Sequence, residues 1–282
     1  MIRPPSPYPF LASKPDHIGR VTLLGAPLDK TGCFRPGAAD GPTGIRWASD
    51  NLETYSPALD RDLEEYQIGD RGDLALADLP MPAALARIEE EVDRLLVADS
   101  IPFVLGGEHT IALPIARAVL KRYPDAMILH FDAHADLRES YAGATYGHAS
   151  WAYHVGREFG YDRLVQLGIR SGLREEFRFA RERCACFSMD LRLPEAVRAE
   201  LATYPLYLTL DIDVLDPACA PGTGTPEAGG VAYRELFDCL YGLAGMRVVA
   251  MDINEVAPPL DPTGVTSAVA AKLVREMVLM FG

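Results

Sequence analysis

The chain reads as an α/β fold, a parallel sheet with helices on both faces, on three observations. Eight short apolar runs recur along its 282 residues. Amphipathic stretches of helical period lie between them, and several runs are apolar throughout, as strands buried on both faces should be. The first two runs are Arg20–Leu24 and Tyr66–Gly69. The clearest helix follows at Pro82–Asp99, where Leu85, Ile88, Val92, Leu95 and Leu96 share one stripe. Strand Ile101–Leu105 leads into helix Ile111–Arg122, and strand Ala126–Asp132 follows. Leu164–Gly168 and Ala185–Met189 are two further strands, with a helix predicted over Pro194–Tyr204. The last strands, Leu206–Asp211 and Arg247–Ile253, alternate with helices Tyr233–Leu243 and Thr266–Met280. No linker, repeat or low-complexity tract divides the chain, so one domain is expected over residues 1–282.

Composition narrows the function. Lys and Arg number 27 against 40 Asp and Glu, a formal net charge of −13. That argues against a nucleic-acid backbone or an anionic membrane as partner and suits a cationic ligand. No apolar run reaches the ~20 residues of a membrane span. The proline-rich start, Met1–Pro9, does not read as a signal segment, so a cytoplasmic location is expected. Five cysteines, at 33, 184, 186, 219 and 239, include no CxxC pair and read as small core residues.

In parallel α/β sheets ligands bind beyond the carboxyl ends of the strands. Three such ends carry unusual chemistry. Gly106-Gly107-Glu108-His109-Thr110 follows the third strand, its glycines allowing a tight turn that leaves His109 at the top of the sheet. Asp132-Ala133-His134-Ala135-Asp136 follows the fourth, and alternate side chains of an extended segment share a face, so Asp132, His134 and Asp136 project together. Asp211-Ile212-Asp213 ends the seventh, placing two carboxylates side by side. Adjacent carboxylates resist burial without a compensating cation. Asp216, before Pro217, reads as a turn residue. Two histidines and four aspartates form a carboxylate-rich donor set that suits Mn²⁺ better than structural zinc, with Fe²⁺, Co²⁺ or Ni²⁺ as alternatives. Six ligands exceed the needs of one ion and match two ions sharing carboxylates. Two divalent ions balance the four aspartates, a charge state that welcomes a cation and disfavours a phosphate substrate.

The motifs GGEHT (Gly106–Thr110), FDAHAD (Phe131–Asp136), DIDVLDP (Asp211–Pro217) and DINEVAP (Asp252–Pro258) resemble, in this order, those of the ureohydrolase family of arginases, agmatinases and guanidinobutyrases. The stretches Asn51–Pro57, Tyr146–Ser150 and Ala220–Glu227 look like the agmatinase branch. The resemblance implies a three-layer α/β/α fold with a mostly parallel eight-stranded sheet, two Mn²⁺ per chain and a homo-oligomer, trimeric or hexameric. It assigns one ion to His109, Asp132, Asp136 and Asp211 and the other to Asp132, His134, Asp211 and Asp213, with Asp132 and Asp211 bridging. His148 matches the family's proton-shuttling histidine and Glu255 the carboxylate that holds the guanidinium; Asp136 would orient the nucleophile. The implied reaction is hydrolysis of a small cationic guanidino compound, agmatine or a close relative, to urea and a primary amine. Guanidinobutyrase, arginase, a non-catalytic metal-binding relative and a single-zinc deacylase are the competing readings. The last would need fewer acidic ligands and a His-rich stretch, and none of the six ligands is missing.

Simpler roles compete for several residues. His148 could cap a helix starting near Ala149, and Glu255 could be a loop charge. Glu108 and Thr110 read as scaffold, Asp252 as a loop partner, and Trp151 as aromatic packing. Arg138 is expected to pair with Glu139 or a neighbouring subunit. His17, His130 and His154 are left structural or on the surface. The pair Ala39-Asp40, inside Pro36–Pro42, departs from the family's basic–aromatic pattern, and Asp40 is a candidate charge at the site mouth.

Overall fold

The computed structural model describes residues 8–282; residues 1–7, part of the segment read above as carrying no signal, lie outside the described residues. Among the described residues there are eleven strands: β1 Lys14–Pro15, β2 Val21–Ala26, β3 Tyr55–Ser56, β4 Arg61–Asp62, β5 Ile68–Asp73, β6 Ile101–Gly106, β7 Met127–Phe131, β8 Leu164–Leu167, β9 Cys186–Ser188, β10 Leu206–Asp211 and β11 Val248–Asn254. Eight helices join them: α1 Gly41–Ser49, α2 Met81–Val97, α3 Ala112–Arg122, α4 Trp151–Phe159, α5 Arg174–Arg183, α6 Glu195–Leu201, α7 Tyr233–Tyr241 and α8 Val265–Phe281.

Nine strands make one sheet in the order β1-β5-β2-β6-β11-β10-β7-β8-β9. Every neighbouring pair in it is parallel. All eight predicted strands are there, within a few residues of their expected ends. The count of eight is corrected to nine by β1, two exposed residues that pair with the edge of β5 and carry no apolar signature. The sequence also gave no sign of the short antiparallel pair β3–β4.

Alternation along the strands builds two cores. Leu23, Leu129 and Leu208 face one side, where they meet Ile45 of α1, Leu236 of α7 and Met277 of α8. Leu24, Ile128 and Tyr207 face the other, against Ile88 of α2, Ile115 of α3 and Trp151 of α4. This is the three-layer α/β/α architecture expected. The cysteines are a correction: Cys33 is exposed, and the other four are half-buried at the margins of the cores rather than inside them.

The strand order matters for function. The four strands β6, β11, β10 and β7 are consecutive in space, so the loops leaving their carboxyl ends converge. Gly107 lets this happen closely: a Cβ there would sit 2.0 Å from the Leu28 carbonyl. Close approach, rather than the tight turn expected, is what requires glycine at this position.

Candidate metal centre

The loop after β6 delivers His109. Its Nε2 lies 2.9 Å from Thr209 Oγ1, and that hydroxyl donates to Asp252 Oδ1 at 2.9 Å. Thr209 can therefore only accept from His109, so Nε2 carries the hydrogen and Nδ1 points away towards the carboxylates. Nδ1 is 3.0 Å from Asp132 Oδ2, 3.3 Å from Asp211 Oδ2 and 3.4 Å from Asp136 Oδ2. It is buried and in hydrogen-bonding geometry with none of them.

His134, half-buried, forms a second focus with Nδ1 3.0 Å from Asp213 Oδ2 and 3.5 Å from Asp132 Oδ1. Asp213 Oδ2 is likewise buried without a hydrogen bond. Nitrogen lone pairs aimed at converging carboxylate oxygens are tolerated only with a cation between them, a proton or a metal ion. The donors thus fit metal, in two groups that share Asp132: His109, His130, Asp132 and Asp136 in one, Asp132, His134 and Asp213 in the other, with Asp211 reaching the first through His109 Nδ1.

The rest of the shell orients these donors. Asp132 Oδ1 accepts from His134 N at 2.6 Å, Asp211 Oδ1 from Asp213 N at 2.8 Å, and Asp213 Oδ1 from Ala133 N at 3.0 Å. Asp136 Oδ2 accepts from the buried Trp151 indole at 2.8 Å, a bond the packing role expected for Trp151 did not include. His130 is not a surface residue. It is buried, its Nε2 2.7 Å from Asp132 Oδ2 and its Nδ1 3.0 Å from Gln166 Nε2. Gln166 Nε2 also donates to the Ala135 carbonyl, which fixes the amide orientation and makes His130 Nε2 the donor to Asp132. Neither Thr209 nor Gln166 stood out in sequence, because their parts depend on pairings across the sheet. Asp252 is a partner of Tyr207, Thr209 and Asn254 within the sheet rather than of its loop.

Burial and crowding displace the titrations. Burial, then the charge of Asp132, pushes Asp136 well above the ordinary carboxylate range; burial with Asp213 and Asp132 does the same to Asp211. Asp132 is held well below it: against burial, the His109 imidazole beside it and the hydrogen bond from His130 stabilise its charge. Against the same burial penalty, the surrounding carboxylates hold His109 and His134 above the usual imidazole value. His130 is driven down to about 4, chiefly by burial, and stays neutral.

A cleft of about 170 Å³ opens on this cluster, lined by His109, His134, Asp136, Asp211, His148 and Glu255 among others. Glu255 is buried, not a solvated loop charge. Its backbone is left-handed at φ +59°, its N–H donates to Gly107 O at 2.8 Å, and its Oε1 accepts from His109 N at 2.8 Å. Asp136 is left-handed too, at φ +51°. Such conformations persist only where neighbours enforce them. Burial raises Glu255 to about 8. His148 precedes α4 but caps nothing: Ser150 is the N-cap residue and makes no side-chain cap bond.

The chain matches the model of the arginase family over residues 19–280. It belongs to the arginase family. The agmatinase of Bacillus cereus is 45% identical over 275 residues, covering 96% of this chain and 95% of that protein. The guanidinobutyrase of Pseudomonas aeruginosa is 36% identical over 272 residues, covering 92% and 85%. The solved structure of the agmatine ureohydrolase of Thermoplasma volcanium superimposes with a TM-score of 0.83 at 31% identity, over 93% of this chain and 90% of that one. The expectation of an agmatinase-like ureohydrolase, drawn from four motifs and three further stretches, is thus met across this arginase-family chain.

Two of its loop residues depart from expectation. Asp40 is exposed on a separate groove beside α2 and does not line the cleft. Arg138 lines the cleft but pairs with Glu176, Nε to Oε2 at 3.3 Å, and lies 4.5 Å from the Tyr141 ring centre; Glu139 is not its partner. Among the described residues no helix is long and apolar enough to cross a membrane.

Proposed function

We propose that this chain is a binuclear manganese hydrolase that cleaves agmatine to urea and a primary amine. The observation that carries the reading is the convergence, in one cleft, of two His/Asp donor groups with Glu255 and His148. Similarity over nearly the full length to agmatinases narrows the substrate.

His109, Asp132, Asp136 and Asp211 would hold one ion, and Asp132, His134, Asp211 and Asp213 the other. When bound, such ions supply Lewis-acid charge and acidify water near neutral pH. The chain's own residues do the rest. Glu255 is anchored through Oε1 by the His109 N–H. Its Oε2 accepts no hydrogen bond among the described residues and would be free to accept from the guanidinium N–H groups. A cationic guanidinium also restores the charged form of a carboxyl that burial has raised. Asp136 accepts the hydrogen of the attacking water and orients it. Water oxygen adds to the guanidinium carbon, the bond to the alkyl nitrogen breaks, and His148 protonates that nitrogen as it leaves. The working form is proposed to be cytoplasmic and homo-oligomeric, a trimer or hexamer by resemblance.

A second reading, guanidinobutyrase, is favoured by one observation: Arg138, a cation, lies on the cleft wall. The deciding experiment is urea release by the Mn²⁺-loaded protein from agmatine, guanidinobutyrate and L-arginine in parallel. No urea from any of the three overturns the hydrolase reading. Guanidinobutyrate as the best substrate moves the assignment within the family.

A further inference from the structure

His148 does not stand alone at the cleft. Its Nδ1 is 3.2 Å from Thr31 Oγ1, and its backbone N–H donates to the same oxygen at 3.1 Å. Thr31 is in turn bound to Glu108. Four donors converge on that buried carboxylate: the N–H groups of Lys30 and Thr31 on Oε2, at 2.7 and 2.6 Å, and the hydroxyls of Thr31 and Thr110 on Oε1, at 2.9 and 2.6 Å. Thr31 has one hydroxyl hydrogen and directs it to Glu108. Only lone pairs remain for His148, so the ring nitrogen facing Thr31 must carry a hydrogen. That leaves Nε2, on the opposite edge of the ring and without a partner among the described residues, as the nitrogen that gains and loses a proton. The contact is closely fitted, since a Cβ on Gly147 would sit 3.1 Å from Thr31 Oγ1.

We infer that Thr31 is a positioning residue: its hydroxyl, aimed by Glu108, holds His148 as the Nδ1–H tautomer so that Nε2 delivers the proton to the departing amine. The inference rests on the reading of His148 as the general acid. In that step the C–N bond breaks, its electron pair stays on the amine nitrogen, and the Nε2 proton moves to that nitrogen. His148 is left neutral with Nδ1–H still on Thr31, and solvent reprotonates Nε2.

The test compares Thr31→Val, Thr31→Ser, His148→Ala and the double variant Thr31→Val/His148→Ala, all Mn²⁺-loaded, with agmatine. Thr31→Val is expected to lower kcat about ten- to hundredfold, the range typical of outer partners that orient a working histidine. KM should stay within about twofold and metal content should be unchanged. Thr31→Ser should recover most of kcat. The double variant should be no slower than His148→Ala, because residues acting through one group are not additive. Wild-type kcat in Thr31→Val beside an impaired His148→Ala overturns the positioning role alone. Losses that multiply in the double variant overturn it as well, since Thr31 would then act elsewhere. Wild-type kcat in His148→Ala removes both the acid and its positioner. Should Val disturb packing, Thr31→Ala replaces it, and a loss that follows Tm rather than the hydroxyl counts against the inference.

Discussion

At the scale of single residues, this site is an exercise in removing hydrogen-bond freedom. Thr209 takes one edge of the His109 ring, Trp151 one lone pair of Asp136, and backbone amides one oxygen each of Asp132, Asp211 and Asp213. What is left over points inward. Asp132 and Asp211 would serve both ions, so Asp132→Asn and Asp211→Asn are expected to lower metal content from about two ions per chain and to abolish urea release. Elemental analysis after dialysis checks this, and a variant that keeps two ions and full turnover removes the shared-ligand assignment. The titrations add a pH dependence. His109 and His134 are raised above the ordinary imidazole value, so both still bind protons above pH ~6.5 in the metal-free site. Ions require neutral imidazoles, so uptake expels those protons and affinity must rise with pH. Titration calorimetry at pH 6.5 and 8, in buffers of different ionisation enthalpy, should show proton release and about tenfold tighter Mn²⁺ binding per proton and pH unit. Affinity independent of pH would contradict the protonated resting state. The side chains that converge here were legible because each lies within a short run of the chain. Thr31, Gln166 and Thr209 were not, because nothing local marks a hydroxyl or an amide whose partners lie from 31 to 117 residues away.

At the scale of elements, apolar runs made the central strands plain in sequence, while two helices, α1 and α5, escaped. α5 is mostly charged and buries little beyond Glu176 and Ala180, so it shows no apolar stripe. α4 was anticipated only as a helix starting near Ala149, without an end, and runs over nine residues from Trp151. α1 contains Gly41, Pro42 and Gly44, which read as loop, and its anchor is a charge. Arg46, fully buried, holds Asp70 through Nε and Nη2 at 2.8 Å each and Asp73 through Nη1 at 2.5 Å, tying α1 to β5. Removing one partner of a buried pair leaves unpaired charge inside, which costs on the order of 3–5 kcal/mol. Arg46→Ala should therefore lower the urea unfolding midpoint by that much stability without touching the cleft; an unchanged midpoint would mean that the carboxylates find water or protons cheaply. Sheet order was equally hidden. Nothing in the chain announces that β11 inserts between β6 and β10, yet that insertion sets Glu255 against His109.

For the whole molecule what separates the candidate substrates is the tail, since on the proposed reading the cluster and Glu255 would meet the same guanidinium in each. The net charge of −13 attracts a dication such as agmatine from a distance, an attraction that salt weakens as the Debye length shrinks to ~8 Å at physiological ionic strength. An α-carboxylate or a guanidinobutyrate tail is repelled by the same field and needs fixed donors to replace its water. The only cation on the cleft wall that the sequence had flagged, Arg138, is engaged by Glu176 and stacked on Tyr141, so its charge is already answered. Agmatine should accordingly show the highest kcat/KM, exceeding that for L-arginine and guanidinobutyrate by at least about tenfold, the worth of one unreplaced polar contact. Its kcat/KM should fall as NaCl is raised, whereas that for guanidinobutyrate should not. Arg138→Ala should leave the order of preference intact, because a paired arginine selects little. If guanidinobutyrate is instead the best substrate and Arg138→Ala erases that preference, Arg138 leaves Glu176 when a carboxylate arrives, and the local cation outweighs the field of the whole chain.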